Sequence, residues 1–458
     1  MKVTVVGSGI SGKSLALMAK RMNFDVFVTE QGKLDENTKT LFREKDIQWE
    51  EGGHTKALLD CDLVVLSSGI SDKTLPVQMA RKTGTPLQGE LDFIFPYLSG
   101  KIVGVTGTNG KSTTAALINH LLSKMGYNVA LAGNFGIPLA NFAMMPLDFI
   151  VVELSSFQLH WTKRFSCDVA IITNIYPDHL DWHGSFEAYV SAKRRIIELL
   201  SPKGCLVCRA QDEEILQVRE GRVARLYWSF EKFMHDAERV QDELVLNDSE
   251  ALLRTEGGHI RLFPLKSLSL FGYHNVENAA MAMAAIYYLG CEVERAREFL
   301  PDFKNLPHRC EKVGEKDGVV FIDDSKGTNV ASSVTAIASI PGVKVVILGG
   351  RGKGEKYDKL AGVIKKHVRA AVLLGEEKEV IAKSLRSAGF SNFYLAASMK
   401  EAVYKAFEMA CPGDIVLLSP ACTSWDMYRN YHERGKDFQE IVKNLIEACV
   451  VKNGRESN

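Results

Sequence analysis

Short apolar and β-branched runs alternate with stretches of helical periodicity along most of the chain. The runs cover residues 3–6, 25–29, 63–66, 102–106, 149–153, 169–173, 319–323, 343–348, 371–374 and 415–418. This alternation predicts an α/β protein with largely parallel sheets. Two interruptions restart the pattern. One, near residues 96–100, precedes a fresh strand and a glycine-rich loop; the other carries Pro301 and Pro307 and precedes a further strand series. The expected domains are 1–97, 98–301 and 302–458. The polar tail Lys452-Asn-Gly-Arg-Glu-Ser-Asn458 is expected to be disordered.

One helical stretch is unusual. Ser185 reads as its N-cap, and the periodicity runs to about Leu200. Phe186, Tyr189, Val190, Ile197 and Leu200 form its apolar stripe, and Lys193 falls in the middle of that inward face. Arg194, Arg195 and Glu198 fall away from it. A bare lysine there must reach outward, lose its proton or find an anion.

A length of 458 residues suits about three domains. Lys plus Arg (56) equals Asp plus Glu (56), so no broad field attracts nucleic acid or an anionic membrane. Phosphate binding then has to come from local groups. The start, Met-Lys-Val-Thr-Val-Val-Gly, reaches glycine too early for a signal peptide, and no apolar run is long enough to span a bilayer. The expectation is a cytoplasmic protein with no membrane insertion and no nucleic-acid partner. Cys205 and Cys208 form a C-x-x-C pair without a matching second pair, which reads as buried reduced thiols rather than zinc ligands.

Gly7-Ser-Gly-Ile-Ser-Gly12 follows a strand and opens a helix, and Glu30 ends the next strand. Such glycines allow a tight turn and close approach to a diphosphate at a helix N-terminus. The turn fits an NAD enzyme, any other diphosphate ligand, or a structural role. Ser67-Ser-Gly-Ile70 is a second small-residue turn suited to phosphate.

The strongest motif is Gly107-Thr-Asn-Gly-Lys-Ser-Thr113, between a strand and a helix. Its glycines let backbone N–H groups wrap phosphates, Lys111 offsets their charge, and the Ser112 hydroxyl suits Mg²⁺. Val105 stands where the commoner loop has glycine. Glu153 ends the strand 149–153, where a carboxylate suits Mg²⁺, and His179 follows another strand at the same sheet edge. Asn275 and Asn278 adjoin an alanine-rich helix that they either cap or extend toward a base.

Taken in order, Gly107 to Thr113, Glu153-Leu-Ser-Ser-Phe-Gln158, Asp178-His-Leu-Asp181, Lys193, His274-Asn-Val-Glu-Asn278 and Leu306-Pro-His-Arg309 resemble the Mur ligases and their folylpolyglutamate synthetase relatives. The likeness covers nearly the whole chain. Asp323-Asp-Ser-Lys-Gly-Thr-Asn329 and Ser419-Pro-Ala-Cys-Thr-Ser-Trp-Asp426 are similar to the D-glutamate-adding members. The Asp-Asn-Pro-Arg motif of the diaminopimelate- or lysine-adding members is absent from the sequence.

The resemblance implies a Rossmann-like N-terminal domain, a central P-loop ATPase domain and a Rossmann-like C-terminal domain. The implied reaction adds D-glutamate to UDP-N-acetylmuramoyl-L-alanine with ATP and Mg²⁺, through an acyl phosphate, in a monomer. By the same resemblance Gly107, Thr108, Asn109, Gly110, Lys111, Ser112 and Thr113 take the phosphates. Asn275, Asn278, Arg309 and Asp324 take adenine and ribose. Ser112, Glu153, His179 and a carboxylated Lys193 hold metal, with Lys111, Glu153, His179 and Lys193 catalytic. Ser8, Gly9, Ile10, Glu30, Gln31, Ser67 and Gly69 contact the UDP-substrate, and Asn134, Ser155 and Gln158 lie toward its acceptor end. Lys326, Thr328, Ser424 and Tyr431 face D-glutamate. Glu30-Gln31 stands where the family has Asp-Thr, and Arg351 where it has an acidic residue. Three readings compete: another amino-acid-adding member of the family, an NAD-dependent dehydrogenase, which leaves residues 107–113 idle, and a non-catalytic nucleotide-binding regulator, which has no use for Lys193.

Overall fold

The computed structural model describes residues 1–212, 216, 222–228, 242–270 and 272–447; the polar tail 452–458 lies outside them. Among the described residues no helix is long and apolar enough to cross a membrane. The strands form three sheets, each with helices packed on it.

The first sheet contains β1 (Lys2–Val6), β2 (Asp25–Glu30), β3 (Gln48–Glu51), β4 (Leu63–Leu66) and β5 (Leu87–Gly89), in the order β3-β2-β1-β4-β5. All its pairings are parallel. The strand order reverses at β1, so the turns after β1 and β4 meet at the crevice where α/β sheets bind ligands. Gly12 is held so close to the first of these turns that a Cβ would sit 1.9 Å from the Gly7 carbonyl oxygen.

The second sheet contains β6 (Lys101–Thr106), β7 (Val129–Gly133), β8 (Phe149–Glu153), β9 (Cys167–Ile172), β10 (Leu200–Arg209), β11 (Arg222–Trp228), β12 (Asp242–Leu246), β13 (Glu250–Thr255) and β14 (Gly258–Pro264). Its order is β14-β13-β12-β11-β10-β9-β6-β8-β7. Pairing is parallel from β7 to β12, and an antiparallel extension closes the sheet with β13 and β14. Cys205 and Cys208 are buried thiols on β10. The third sheet contains β15 (Glu311–Lys316), β16 (Val319–Asp323), β17 (Lys344–Gly349), β18 (Val368–Leu374), β19 (Phe393–Leu395) and β20 (Ile415–Leu418), in the order β15-β16-β20-β17-β18-β19. Only β15 pairs antiparallel.

Contacts divide the chain into two compact units, Met1–Leu268 with Glu277–Phe303, and Ser269–Val276 with Lys304–Asn458. In the first unit one continuous core runs from Val3, Leu15 and Val28 through Leu91 and Phe93 to Ile102, Ile150 and Phe165. The first and second sheets thus share a core. In the second unit the helices Val330–Ser339, Asp358–His367 and Lys378–Ser387 cover one face of the sheet, and Met399–Met409 and Tyr431–Glu447 cover the other. That two-sided burial is why its central strands read as continuous apolar runs.

A buried carboxylate fastens the first two sheets. Asp92, 4% exposed, accepts backbone N–H bonds from Lys163, Arg164 and Phe165 at 2.8, 2.9 and 3.0 Å. Asp92→Ala strands the buried Phe165 N–H and two part-buried donors, and is expected to cost about 1–3 kcal/mol, seen as an earlier first transition in urea unfolding. An unchanged transition would show that the shared apolar core and the other bonds between the sheets hold them without Asp92.

Candidate active site

The loop 107–113 is shaped by what presses on it. Gly107 has φ +136°, and a Cβ there would lie 2.0 Å from Thr173 Oγ1; Gly110 has φ +85°, and a Cβ would lie 2.4 Å from Asn278 Oδ1. Neither position accepts a side chain. The segment after β9 clamps the loop from one side. Thr173 Oγ1 donates to the Asn109 carbonyl at 2.6 Å, and Asn109 N–H donates to Asn174 Oδ1 at 2.9 Å. The Thr108 hydroxyl donates to the Tyr176 carbonyl at 3.0 Å and meets the Tyr189 hydroxyl at 2.9 Å. The loop is therefore held in shape by its own surroundings, which lowers the ordering cost of phosphate binding.

Two lysines converge on this loop. Lys111 Nζ donates to the carbonyls of Gly107 (2.9 Å) and Thr108 (2.8 Å). Lys193 lies on the helix Phe186–Glu198, capped by Ser185, whose Oγ accepts from Ala188 N–H at 3.1 Å. Its Nζ donates to the Gly107 carbonyl at 2.6 Å and lies 4.9 Å from the centre of the Tyr189 ring. Lys193 is buried on the inward face, as its place in the stripe predicts, but that face is Tyr189, Val190, Ala192 and Ile196. Ile197 is only half-buried, so the stripe drawn from the sequence is rotated by one residue there. Burial, then the Lys111 charge, pushes the Lys193 amine well below its ordinary value.

Register does the rest. β6 pairs β8 with Val105 opposite Glu153, so the carboxylate stands at the loop's base. Ser112 Oγ donates to Glu153 Oε2, and Asn134 Nδ2 donates to Glu153 Oε1 at 2.9 Å. His179 follows β9 in the left-handed conformation, φ +52°, with its ring 5.0 Å from that of Phe157. Its Nε2 lies 3.7 Å from Asp178 Oδ2. The neighbouring His183 meets Ser156 Oγ at 2.9 Å, and burial pushes its pKa down to about 4.

In the first sheet Gly9, Ile10 and Gln31 are exposed. Glu30 folds back on the turn: its carboxylate accepts from Ser8 N–H (2.7 Å), Ser8 Oγ (2.8 Å) and Gly32 N–H (2.9 Å). Burial pushes that carboxyl up, but the Gly32 and Ser8 bonds outweigh it and hold it below its ordinary value. Ser67 Oγ donates to the Val6 carbonyl at 2.7 Å, which ties β4 to β1, and Gly69 adopts φ +92° in the exposed turn. Ser155 and Gln158 form a capping box at the helix Ser156–His160. Gln158 also reaches a residue that the sequence reading missed, the buried Glu90, at 2.5 Å. A carboxylate placed directly after a short strand was its available signal.

In the second unit, Asp324 and Lys326 follow β16, and Ser424 follows β20. Lys326 Nζ lies 4.0 Å from the Tyr431 ring centre, a cation–π contact that joins two of the residues proposed together. Thr328 is half-buried, and its N–H donates to the Lys326 carbonyl at 2.8 Å. Lys326 N–H donates to the His308 carbonyl at 3.0 Å, which registers the Arg309 loop against the Lys326 loop. His308 itself is held by Asp323 (2.7 Å). Arg434, also missed, is buried and donates to Ser325 Oγ, Ser325 O and Cys422 O at 3.0, 2.8 and 3.1 Å. It pins the β16 turn to the β20 turn. Arg351 pairs with Glu376 through two bonds, at 3.0 and 2.8 Å. Asn275 and Asn278 both fall inside the helix Tyr273–Tyr288, three positions apart, so neither is its cap.

Known proteins resemble the chain along its whole length. Residues 2–75 match the MurD N-terminal domain, 105–286 the Mur ligase middle domain, and 308–422 the Mur ligase glutamate ligase domain. The UDP-N-acetylmuramoylalanine–D-glutamate ligase of Christiangramia forsetii is 34% identical, over 97% of this chain and 99% of its own. The enzyme of the same name from Bacteroides fragilis is 36% identical, over 97% and 100%. Among solved structures, the UDP-N-acetylmuramate–alanine ligase MurC of Thermotoga maritima shares the fold, with a TM-score of 0.58, 20% identity and 97% and 99% coverage.

Burial, and then the neighbouring Asp323, pushes the Asp324 carboxyl up to about 7, while Ser419 and Arg309 pull it down. The folded state then keeps a proton that the unfolded chain releases near pH 4. This group's contribution to stability is full below that pH and falls by up to about 4 kcal/mol as pH rises through the folded pKa. Asp324→Asn removes the slope, so the urea midpoint of the variant should gain on that of the unmodified chain from pH 4 to pH 8. A difference that stays flat with pH would show an ordinary carboxylate.

Proposed function

The chain belongs to the Mur ligase family, and on that premise we propose that it joins D-glutamate to UDP-N-acetylmuramoyl-L-alanine with cleavage of ATP to ADP and phosphate. The observation that carries this reading is the meeting of Lys111, Lys193, Ser112 and Glu153 around the loop 107–113. The full-length relatives named for this reaction and the stretches 323–329 and 419–426 narrow it to D-glutamate.

In the reaction, the substrate carboxylate attacks the γ-phosphorus of ATP, giving an acyl phosphate and ADP. The D-glutamate amine then attacks the acyl carbon, the C–N bond forms, and phosphate leaves with the C–O bond. Two unit anions about 4 Å apart repel by about 4 kcal/mol at an effective dielectric near 20. Lys111 is placed to offset this on the phosphates, while the clamped loop fixes their position.

The donor set also suits Mg²⁺, which takes oxygen ligands: Ser112 Oγ and Glu153 Oε2 already meet, and Asn134 holds the other carboxylate oxygen. Bound there, Mg²⁺ supplies positive charge against the phosphate oxygens. His179 and Lys193 are assigned to a second ion, Lys193 as a carbamate formed by addition of its amine to CO₂ with loss of a proton. Support for the carbamate comes from the burial of Lys193 at the sheet edge and the resemblance of Tyr189-Val-Ser-Ala-Lys-Arg-Arg-Ile196 to the family's modified segment.

The residues 107–113 take the ATP phosphates. Asn278 in the first unit and Asn275, Arg309 and Asp324 in the second are assigned to adenine and ribose. Ser8, Gly9, Ile10, Glu30, Gln31, Ser67 and Gly69 are assigned to the UDP-substrate, with Asn134, Ser155 and Gln158 toward its acceptor end. Lys326, Thr328, Ser424 and Tyr431 are assigned to D-glutamate. We assign the domains 1–97, 98–301 and 302–458 to UDP-substrate, ATP, and amino acid with part of ATP. The enzyme works as a cytoplasmic monomer.

The test is phosphate release from ATP with UDP-N-acetylmuramoyl-L-alanine and a panel of amino acids. Release should depend on D-glutamate; dependence on L-alanine, lysine or diaminopimelate would move the chain to another branch of the family. Lys193→Arg and Lys193→Ala should both lower kcat by about a hundredfold or more, because arginine keeps a cation but cannot form the carbamate. An active Lys193→Arg enzyme would remove the carbamate. Lys326→Ala should raise the D-glutamate KM about tenfold or more while the ATP KM moves less than about twofold, as expected for loss of one charge-assisted carboxylate bond. The opposite order would empty that pocket of D-glutamate.

A further inference from the structure

Glu90 is the first residue past β5, and its side chain is 5% exposed. Gly89 sets its place: a Cβ there would lie 2.6 Å from Trp161 Cβ, so only glycine lets β5 run this close to the end of the helix Ser156–His160. Two donors from two separate elements then converge on the carboxylate. Ser68 N–H, in the turn after β4, donates to Oε2 at 3.2 Å. Gln158 Nε2 donates to Oε1 at 2.5 Å. Ser67, next to Ser68, ties the same turn back to the end of β1 by donating to the Val6 carbonyl at 2.7 Å.

Gln158 is itself fixed, because its Oε1 accepts from the Ser155 N–H at 2.9 Å and the Ser155 hydroxyl at 3.0 Å. The chain of bonds therefore runs from the end of β1, where the first small-residue turn begins, through the turn after β4 and one buried carboxylate, to the helix that begins three residues after Glu153. Fastening the sheets together does not require it. Asp92 grips three backbone N–H groups, and the Trp161 and Trp182 indoles donate to the carbonyls of Ile70 and Gly69 at 2.7 and 3.1 Å. What Glu90 adds is the spacing and direction of the turns relative to the capping box.

We propose that Glu90 is a positioning residue for the UDP-substrate, setting the two diphosphate-facing turns in register with the acceptor-facing pair Ser155 and Gln158. This rests on the assignment of those turns to the UDP-substrate above. Ser68 N–H and the Gln158 amide nitrogen can only donate, so both oxygens at position 90 must accept. Glu90→Gln places an NH₂ opposite one of those donors. The double exchange E90Q/Q158E repairs the conflict. The amide at position 90 then accepts from Ser68 and donates to the new carboxylate at position 158, whose other oxygen still accepts from Ser155.

The variants are compared by steady-state kinetics and by calorimetric binding of UDP-N-acetylmuramoyl-L-alanine. E90Q should raise KM and Kd for the UDP-substrate about tenfold or more, with KM for ATP and D-glutamate within about twofold. Introduced into a Q158E background, E90Q should no longer raise either constant, whatever Q158E costs by itself at the acceptor end. An unchanged UDP-substrate constant in E90Q, a parallel rise for all three substrates, or an E90Q effect as large in the Q158E background as in the starting enzyme each overturns the proposal. Calorimetry needs no turnover, so it separates two failures. A parent enzyme that binds the UDP-substrate but releases no phosphate with D-glutamate refutes the reaction assigned above and leaves Glu90 to be judged on Kd. A parent enzyme that does not bind it overturns both.

Discussion

The Gly107 carbonyl oxygen accepts hydrogen bonds from two lysines, Lys111 at 2.9 Å and Lys193 at 2.6 Å. Two full cations sharing one oxygen in a buried place would repel strongly, and Lys193 is the one that yields, pushed down first by burial and then by Lys111. Asp178 and Glu153 offset part of this repulsion without overcoming burial. That constraint explains much of the surrounding architecture. Gly107 must lack a side chain for its carbonyl to lie there. Glu153 must end its strand opposite Val105 to bring negative charge to the loop's base. The loop must be clamped by Thr173 and Asn174 so that it keeps its shape in spite of the crowding.

Parallel strands deliver their following turns to one edge, which is why a chain with no net charge can build strongly charged places. β6, β8 and β9 are adjacent, and they supply Lys111 with Ser112, then Glu153, then His179. In the second unit β16 and β20 are adjacent, and they supply Asp324 with Lys326, then Ser424. In each case a buried ion or a short network holds the turns in place. Arg434 bonds Ser325 and Cys422, and His308 bonds Asp323, so the cationic Lys326 stands on a rigid base. Desolvation lowers the Arg434 pKa to about 10, which leaves it charged at neutral pH, with its donors met by oxygens of the two turns.

What could be read from the sequence was what has a local signature. Each of the ten apolar runs coincides with all or part of a strand. The loop 107–113 could be read because its chemistry lies within seven consecutive residues, and Lys193 because a 3.6-residue period reveals its face. β13 and β14 were not foreseen, and these short antiparallel strands with polar alternation give a weak signal; the parallel β7, β10, β11 and β12 also lie outside the ten runs. Glu90 was missed for another reason: its partner Gln158 lies 68 positions away, and no period or spacing connects them. Arg434 is the same case, with Ser325 at a separation of 109. Among the residues described here, site groups whose role is set by a distant partner are the ones that sequence pattern leaves out.

The two departures from the family pattern are physically unlike each other. Arg351 pairs with Glu376 across a half-exposed surface, where water screens both charges and the pair contributes little to the fold. It can be exchanged for another partner without disturbing the turn that carries it. Glu30 is different. Its carboxylate takes two backbone N–H groups and a hydroxyl, and it remains ionised against a burial cost. The Ser8 N–H that it holds belongs to the very turn whose amides would meet a diphosphate. The acidic side chain therefore both shapes the turn and uses up one of its donors. On the proposed assignment, a diphosphate here would meet the amides beyond Ser8, at the start of the helix Ile10–Arg21.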